Sequence, residues 1–203
     1  DVFAVAGGWY EVGEIRRARG DLDGAEAAYR EAHALGRDPQ PGLALLRLAQ
    51  GRVDAARTSI ATAIATFGRS RLECAPLHAA QVDIARAAGE RDTAVASADE
   101  VTDTAARFES IGLRAVGLQV QGAVSLARGE SVVALASLRA ACIAWNELDA
   151  PYEAARTRVL LADAYALLDD ADAAERERAA ARSCFERLGA TADLRSLAAV
   201  AGS

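Results

Sequence analysis

The chain has 203 residues but no lysine and no methionine, so all 23 of its cationic side chains are arginines. It has two histidines, four prolines and three cysteines, and aromatic residues make up only 5%. Each shortage narrows the chemistry. A phosphate-binding loop of the form G-x4-G-K-[ST] needs a lysine ammonium against the phosphates. Gly112 and Gly117 have its first spacing, but Leu118 follows them. With only His33 and His78 as imidazoles, and no G-x-S-x-G elbow, nucleophilic catalysis has little to work with. Cys74, Cys142 and Cys184 are odd in number and form no C-x-x-C pair, which points to neither a zinc site nor a disulfide framework. Single helical cysteines are expected to be buried small hydrophobes, and a reduced, cytoplasmic setting fits.

Long apolar runs are missing too. The longest uncharged stretch, Ala115 to Ala127, is too short to span a bilayer and contains Gln119 and Gln121. No basic segment followed by an apolar one opens the chain, so no membrane contact is expected. The net charge of −6 and a pI near 5.0 oppose a phosphate backbone, so this chain is not expected to bind nucleic acid itself. The start at Asp1 and the lack of methionine suggest a piece of a longer polypeptide.

What is abundant is alanine, within a composition that is 52% hydrophobic and 26% charged. That balance predicts a folded chain, and alanine favours helix. The alanines recur in register. Five turns, at Gly20, Gly51, Gly89, Gly129 and Asp169, lie 31 to 40 residues apart. Five residues past them stand Ala25, Ala56, Ala94, Ala134 and Ala174; seven further on stand Ala32, Ala63, Val101, Ala141 and Ala181. A period in this range marks a helical solenoid, and a recurring small residue marks close helix crossings.

The punctuation predicts about ten helices in five antiparallel pairs, with no sheet. Gly20-Asp21-Leu22-Asp23 ends the first helix, with Asp21 or Asp23 capping the second. Gly36 to Gly42 holds two prolines and is the clearest break. It leaves a short third helix, about Leu43 to Gln50. Later breaks are expected from Gly68 to Arg71, at Ile111-Gly112, and before Pro151, which suits a first helical position. The units run over about 6–38, 41–68, 71–110, 112–148 and 151–188, with a possible capping helix at 193–200. No low-complexity linker divides them, so a single domain is expected.

The first unit resembles a tetratricopeptide repeat. The pattern W-x2-L-G-x2-Y…A-x3-F…A meets Trp9, Val12 and Gly13, has Arg16 in place of the Tyr, and continues with Ala25, Tyr29 and Ala32. Later units are degenerate; the fourth keeps Leu118, Gly122, Ala134, Leu138 and Ala141, while the third has His78 for the Trp and Val82 for the Gly. Three longer stretches, Gly36 to Ala56, Ala150 to Ala162 and Cys184 to Ala190, resemble the helical-repeat region of actinobacterial LuxR-type regulators. That resemblance implies a right-handed superhelix that precedes a helix-turn-helix in the parent protein, sometimes after an ATPase. It implies an interaction or effector-sensing module with no enzymatic activity of its own. A scaffold without a role in transcription is the alternative.

In such repeats the first helix of each pair lines the concave side. Carrying those positions across gives Tyr10, Glu14 and Arg17 in the first unit, and Leu45 and Leu48 in the second. It gives Asp83 and Arg86 in the third, Gln119 in the fourth, and Arg156 and Asp163 in the fifth. These would meet a peptide segment, a small effector or a second copy of the chain. Both charge signs occur among them, which favours a peptide or a zwitterion over a polyanion. The Lys/Asn clamp that some repeats use for a peptide C-terminus is unmatched, since Tyr10, Glu14, Pro41 and Leu45 stand there. No cofactor is expected. Asp21 and Asp23 lack the other ligands of a calcium loop, and Asp169, Asp170 and Asp172 read as turn and cap residues. Trp9, Tyr29, Phe67, Trp145 and Phe185 read as inter-helix packing.

Overall fold

A computed structural model describes residues 2–67 and 70–201, without the side chains of Phe67, Val200 and Ala201. The expected break at Gly68 and Arg69, and the packing role of Phe67, therefore fall outside the described residues. Within them the chain forms eleven helices and no strand. They are α1 (Val2–Ala18), α2 (Leu22–Ala34), α3 (Gly42–Ala49), α4 (Val53–Phe67), α5 (Arg71–Ala88) and α6 (Arg91–Phe108). They continue with α7 (Ile111–Ala127), α8 (Ser131–Glu147), α9 (Pro151–Ala166), α10 (Ala171–Leu188) and α11 (Thr191–Ala201). Consecutive helices pack in pairs, α1 with α2 through α9 with α10, as the repeat spacing requires. The ends differ slightly from expectation: α1 begins at Val2, ahead of the first unit's boundary, and α11 is a full helix from Thr191.

The five turns share one conformation. Gly20, Gly51, Gly89 and Gly129 have φ between +73° and +75°, and Asp169 has +59°. At each, the following amide donates to the carbonyl five residues back, as Asp21 does to Arg16 and Glu130 to Ser125, both at 2.9 Å. This left-handed closure satisfies the orphan carbonyls of the helix end. Asp169 takes the place of glycine because a short polar side chain tolerates that region. The next helix is then capped where an acid is available. Asp21 accepts from Gly24 N–H and Asp170 from Ala173 N–H, both at 3.0 Å.

Both alanine columns are buried: Ala25, Ala56 and Ala134 are fully covered, as are Ala32, Ala141 and Ala181. A third column runs seven residues before each turn, through Gly13, Ala44, Val82, Gly122 and Ala162, all buried. Here the first helix of the unit meets the second. A Cβ placed on Gly122 would lie 2.5 Å from Leu138 Cγ, and one on Gly13 would lie 2.5 Å from the Tyr29 ring. Large residues of the second helix, Tyr29, Ile60 and Leu138, thus seat against small ones of the first. The core is accordingly a chain of linked clusters along the stack, such as Ala44–Ile60–Leu77–Ile84 and Leu126–Leu138–Leu161, and has no single centre.

The odd-numbered helices also touch in series, α1 with α3, α3 with α5, α5 with α7 and α7 with α9, and so form the inner layer. The stack does not stay open. Helix α11 packs on α10 and reaches α1. Thr191 Oγ1 donates to the Arg19 carbonyl, and the Arg195 guanidinium lies against Gly20.

Candidate functional site

The inner layer holds two polar groups of side chains. The first belongs to α1. Glu14 accepts the Tyr29 hydroxyl on one oxygen and Arg17 Nη2, at 2.7 Å, on the other. Tyr10 packs on Tyr29 with ring centroids 5.7 Å apart, and the Arg37 guanidinium sits 4.5 Å above the Tyr10 ring. Burial raises the hydroxyl pKa of both tyrosines, with Glu14 adding to it. Burial works against the Arg17 charge, but Glu14 more than offsets it and the pKa rises. Gly42 makes this arrangement possible, because a Cβ there would meet the Glu14 carboxylate and the Tyr29 hydroxyl. Arg17 Nε is buried without a hydrogen-bond partner.

The second group is a cavity of about 210 Å³ walled by α5, α7, α9, α10 and α11. Asp83, Arg86, Gln119, Arg156 and Asp163, five of the residues expected on the concave side, line it together. The resemblance to the repeat family put them on one face; their pairing is new. Arg156 Nη2 bonds Asp83 Oδ2 at 2.9 Å, joining the fifth unit to the third across the fourth. Burial disfavours the Arg156 charge, but Asp83 and Glu153 more than offset this and hold its pKa above the usual range. Gln119 Oε1 accepts from Trp145 Nε1 and Thr157 Oγ1, both at 2.8 Å. Its amide donors remain for the cavity. Burial pushes the Asp163 carboxyl up, against the opposing pull of Arg178 and Arg86.

Helix α11 supplies the roof, with Asp193, Ser196 and Leu197 on the cavity. Tyr152 connects the two groups. Its hydroxyl donates to Asp193 Oδ2 at 3.1 Å, its ring meets Phe185 edge-on, and it lies within the field of Arg17. Burial pushes its pKa up to about 12.

Tyr10, Glu14 and Arg17 thus form a cluster of their own, apart from the cavity-lining five. Leu45 and Leu48 join neither group; both are half-buried against the Ala44–Ile84 cluster. Sequence reasoning missed Arg178. It lies nine residues past its turn, where the other units have Tyr29, Ile60, Ala98 and Leu138, all buried. A charged residue in an otherwise apolar column was the signal available. His33 is exposed. His78 is half-buried, its Nδ1 lacks a hydrogen-bond partner, and burial lowers its pKa. The three cysteines are buried and unbridged, and burial raises the Cys142 thiol to about 11. No group of three or more potential metal ligands occurs among the described residues, and no helix there is long and apolar enough to cross a membrane. Comparison with protein-family models, curated proteins and solved structures finds no match to this chain.

Proposed function

We propose that the chain is a non-enzymatic, effector-sensing repeat module of a larger LuxR-type transcription regulator. Its pairs would be tetratricopeptide-like units wound into a right-handed superhelix, and the parent would work in the cytoplasm. The observation that carries the sensing role is the roofed inner cavity, with charges left over inside it. A long open groove suits an extended peptide; a half-open recess of about 210 Å³ under α11 suits a small molecule. A ligand there touches α5, α7, α9, α10 and α11 at once, so its affinity depends on how these helices are arranged. Signalling requires just such a difference in affinity between two arrangements.

A metabolite panel read by thermal unfolding tests the reading. A ligand at a hundred times its Kd adds about 2.7 kcal/mol, a rise of roughly 5–10 °C for a chain of this length. Its absence across a broad panel counts against sensing. The scaffold reading has one observation in its favour, the exposed Val132, Val133 and Ile143 on the outer helix α8. It gains if only substitutions there alter complex formation by the parent protein.

A further inference from the structure

The cavity's charges do not all pair with one another. Three arginines and three aspartates reach it: Arg86, Arg156 and Arg178 against Asp83, Asp163 and Asp193. Arg156 and Asp83 pair, and Asp193 takes the Tyr152 hydroxyl. Arg86, Arg178 and Asp163 remain, each partly buried, and none has an ion pair within 4.0 Å or a side-chain hydrogen bond among the described residues. Partly desolvated charges without partners are costly, and they stand on three different helices around one space. Beside them the wall is apolar. Phe185 and Leu197 are buried, and Val159 and Leu160 complete it.

Building on the effector-sensing reading, we infer that this cavity binds a free α-amino acid with an apolar side chain. Its carboxylate lies on Arg86 and Arg178, its ammonium on Asp163, and its side chain against Phe185 and Leu197. Two guanidinium groups match the planar oxygens of one carboxylate. A single carboxylate opposite them matches one ammonium. A dicarboxylate would set a second negative charge against Asp163, a simple fatty acid would leave Asp163 alone, and a simple amine would leave both arginines alone. The space is below the range for drug-sized ligands. The free Gln119 amide donors add a further contact for the carboxylate. The departure of the fifth unit from the repeat supports the same conclusion. At a position where the other four units bury Tyr29, Ile60, Ala98 and Leu138, Arg178 adds no apolar packing and supplies half of an anion clamp. Burial raises the Asp163 carboxyl despite the pull of Arg178 and Arg86, and an ammonium in direct contact would offset that cost.

Calorimetry with three probes tests the assignment: L-leucine; 4-methylpentanoate, which is leucine without its ammonium; and 3-methylbutylamine, which is leucine without its carboxylate. L-leucine is expected to bind saturably and each deleted probe at least about tenfold more weakly, because each leaves one pole unpaired. Two variants accompany them. Arg178→Leu restores the residue type of the fourth unit, so it is expected to melt no lower than the unsubstituted chain yet lose at least about tenfold in leucine affinity. Asp163→Asn keeps the shape and should abolish the preference for leucine over 4-methylpentanoate. Equal binding of all three probes overturns the proposal, as does unchanged leucine affinity in Arg178→Leu. If no proteinogenic amino acid binds at millimolar concentration while another metabolite stabilises the chain, the amino-acid assignment fails and effector sensing stands. If nothing in either panel binds, both fail.

Discussion

The first two units and the last three share one set of buried columns but are joined differently. Between α6 and α7, and between α8 and α9, the seams are long and continuous, built from helices of 16 to 18 residues. Between α2 and α3 the seam is thin, because α3 has only eight residues. A groove of about 970 Å³ opens between α2 and α4, bounded by Arg30, His33, Ser59 and Thr62. A side chain bridges part of it: Gln40 Nε2 donates to Ser59 Oγ at 2.6 Å while its Oε1 accepts from Ala44 N–H. The repeat register therefore fixes how the two helices of a unit meet. Helix length fixes how firmly one unit holds the next.

The largest effect that would sharpen this contrast is a cavity in each region. Leu138 and Leu46 are both fully covered. Leu138→Ala, amid the long seams, is expected to cost about 3–5 kcal/mol, and Leu46→Ala about 2–3, because the looser site can collapse further. Chemical denaturation measures both, and equal losses would remove the distinction. Next comes overpacking. Ala134→Leu should cost ~1–3 kcal/mol where α7 and α8 cross. An unchanged melting curve would mean that this column is misplaced.

Asp83→Asn is expected to cost about 1–2 kcal/mol by removing the nearer of the two acidic partners of Arg156 and leaving only Glu153, at 3.5 Å. Both side chains keep about a third of their exposure, so water screens part of the loss. The same change in Asp54, which pairs with Arg57 at the surface, should be silent within about 0.5 kcal/mol. The smallest effect is a pH dependence. The folded chain holds a proton on Asp163 more tightly than the unfolded chain does, so this group lowers stability above its folded pKa. The loss is relieved as pH falls through that value. Asp163→Asn should thus be the more stable form at neutral pH, by less than about 1 kcal/mol. The gap should close as the solution is acidified through the carboxylate range.

Much of this was open to sequence reading because it is local. The left-handed turns, the caps at Asp21 and Asp170, the alanine columns and the brevity of α3 all follow from residues within one helical pair. Five concave-side residues, Asp83 through Asp163, were placed on one face by the resemblance to a repeat whose first helix lines the inner side. What lay beyond reach joins distant segments. Nothing in a spacing of about 40 residues says that Arg156 passes over a unit to reach Asp83, or that Thr191 meets Arg19. Arg178 was legible only as an irregularity, and an irregularity in one degenerate repeat carries little weight until its neighbours in space are known.

The meeting of α11 with α1 changes what kind of object the stack is. An array of repeats that touch only their neighbours behaves as a one-dimensional lattice, unravelling from its ends at a rate set by each end's own stability. A lattice whose first and eleventh helices touch is a circuit. Detaching any one unit breaks two junctions, so fraying at one margin is resisted from the other. The thin α2–α3 seam is then held from both sides. A disturbance there can travel around the circuit in either direction to the roof over the cavity.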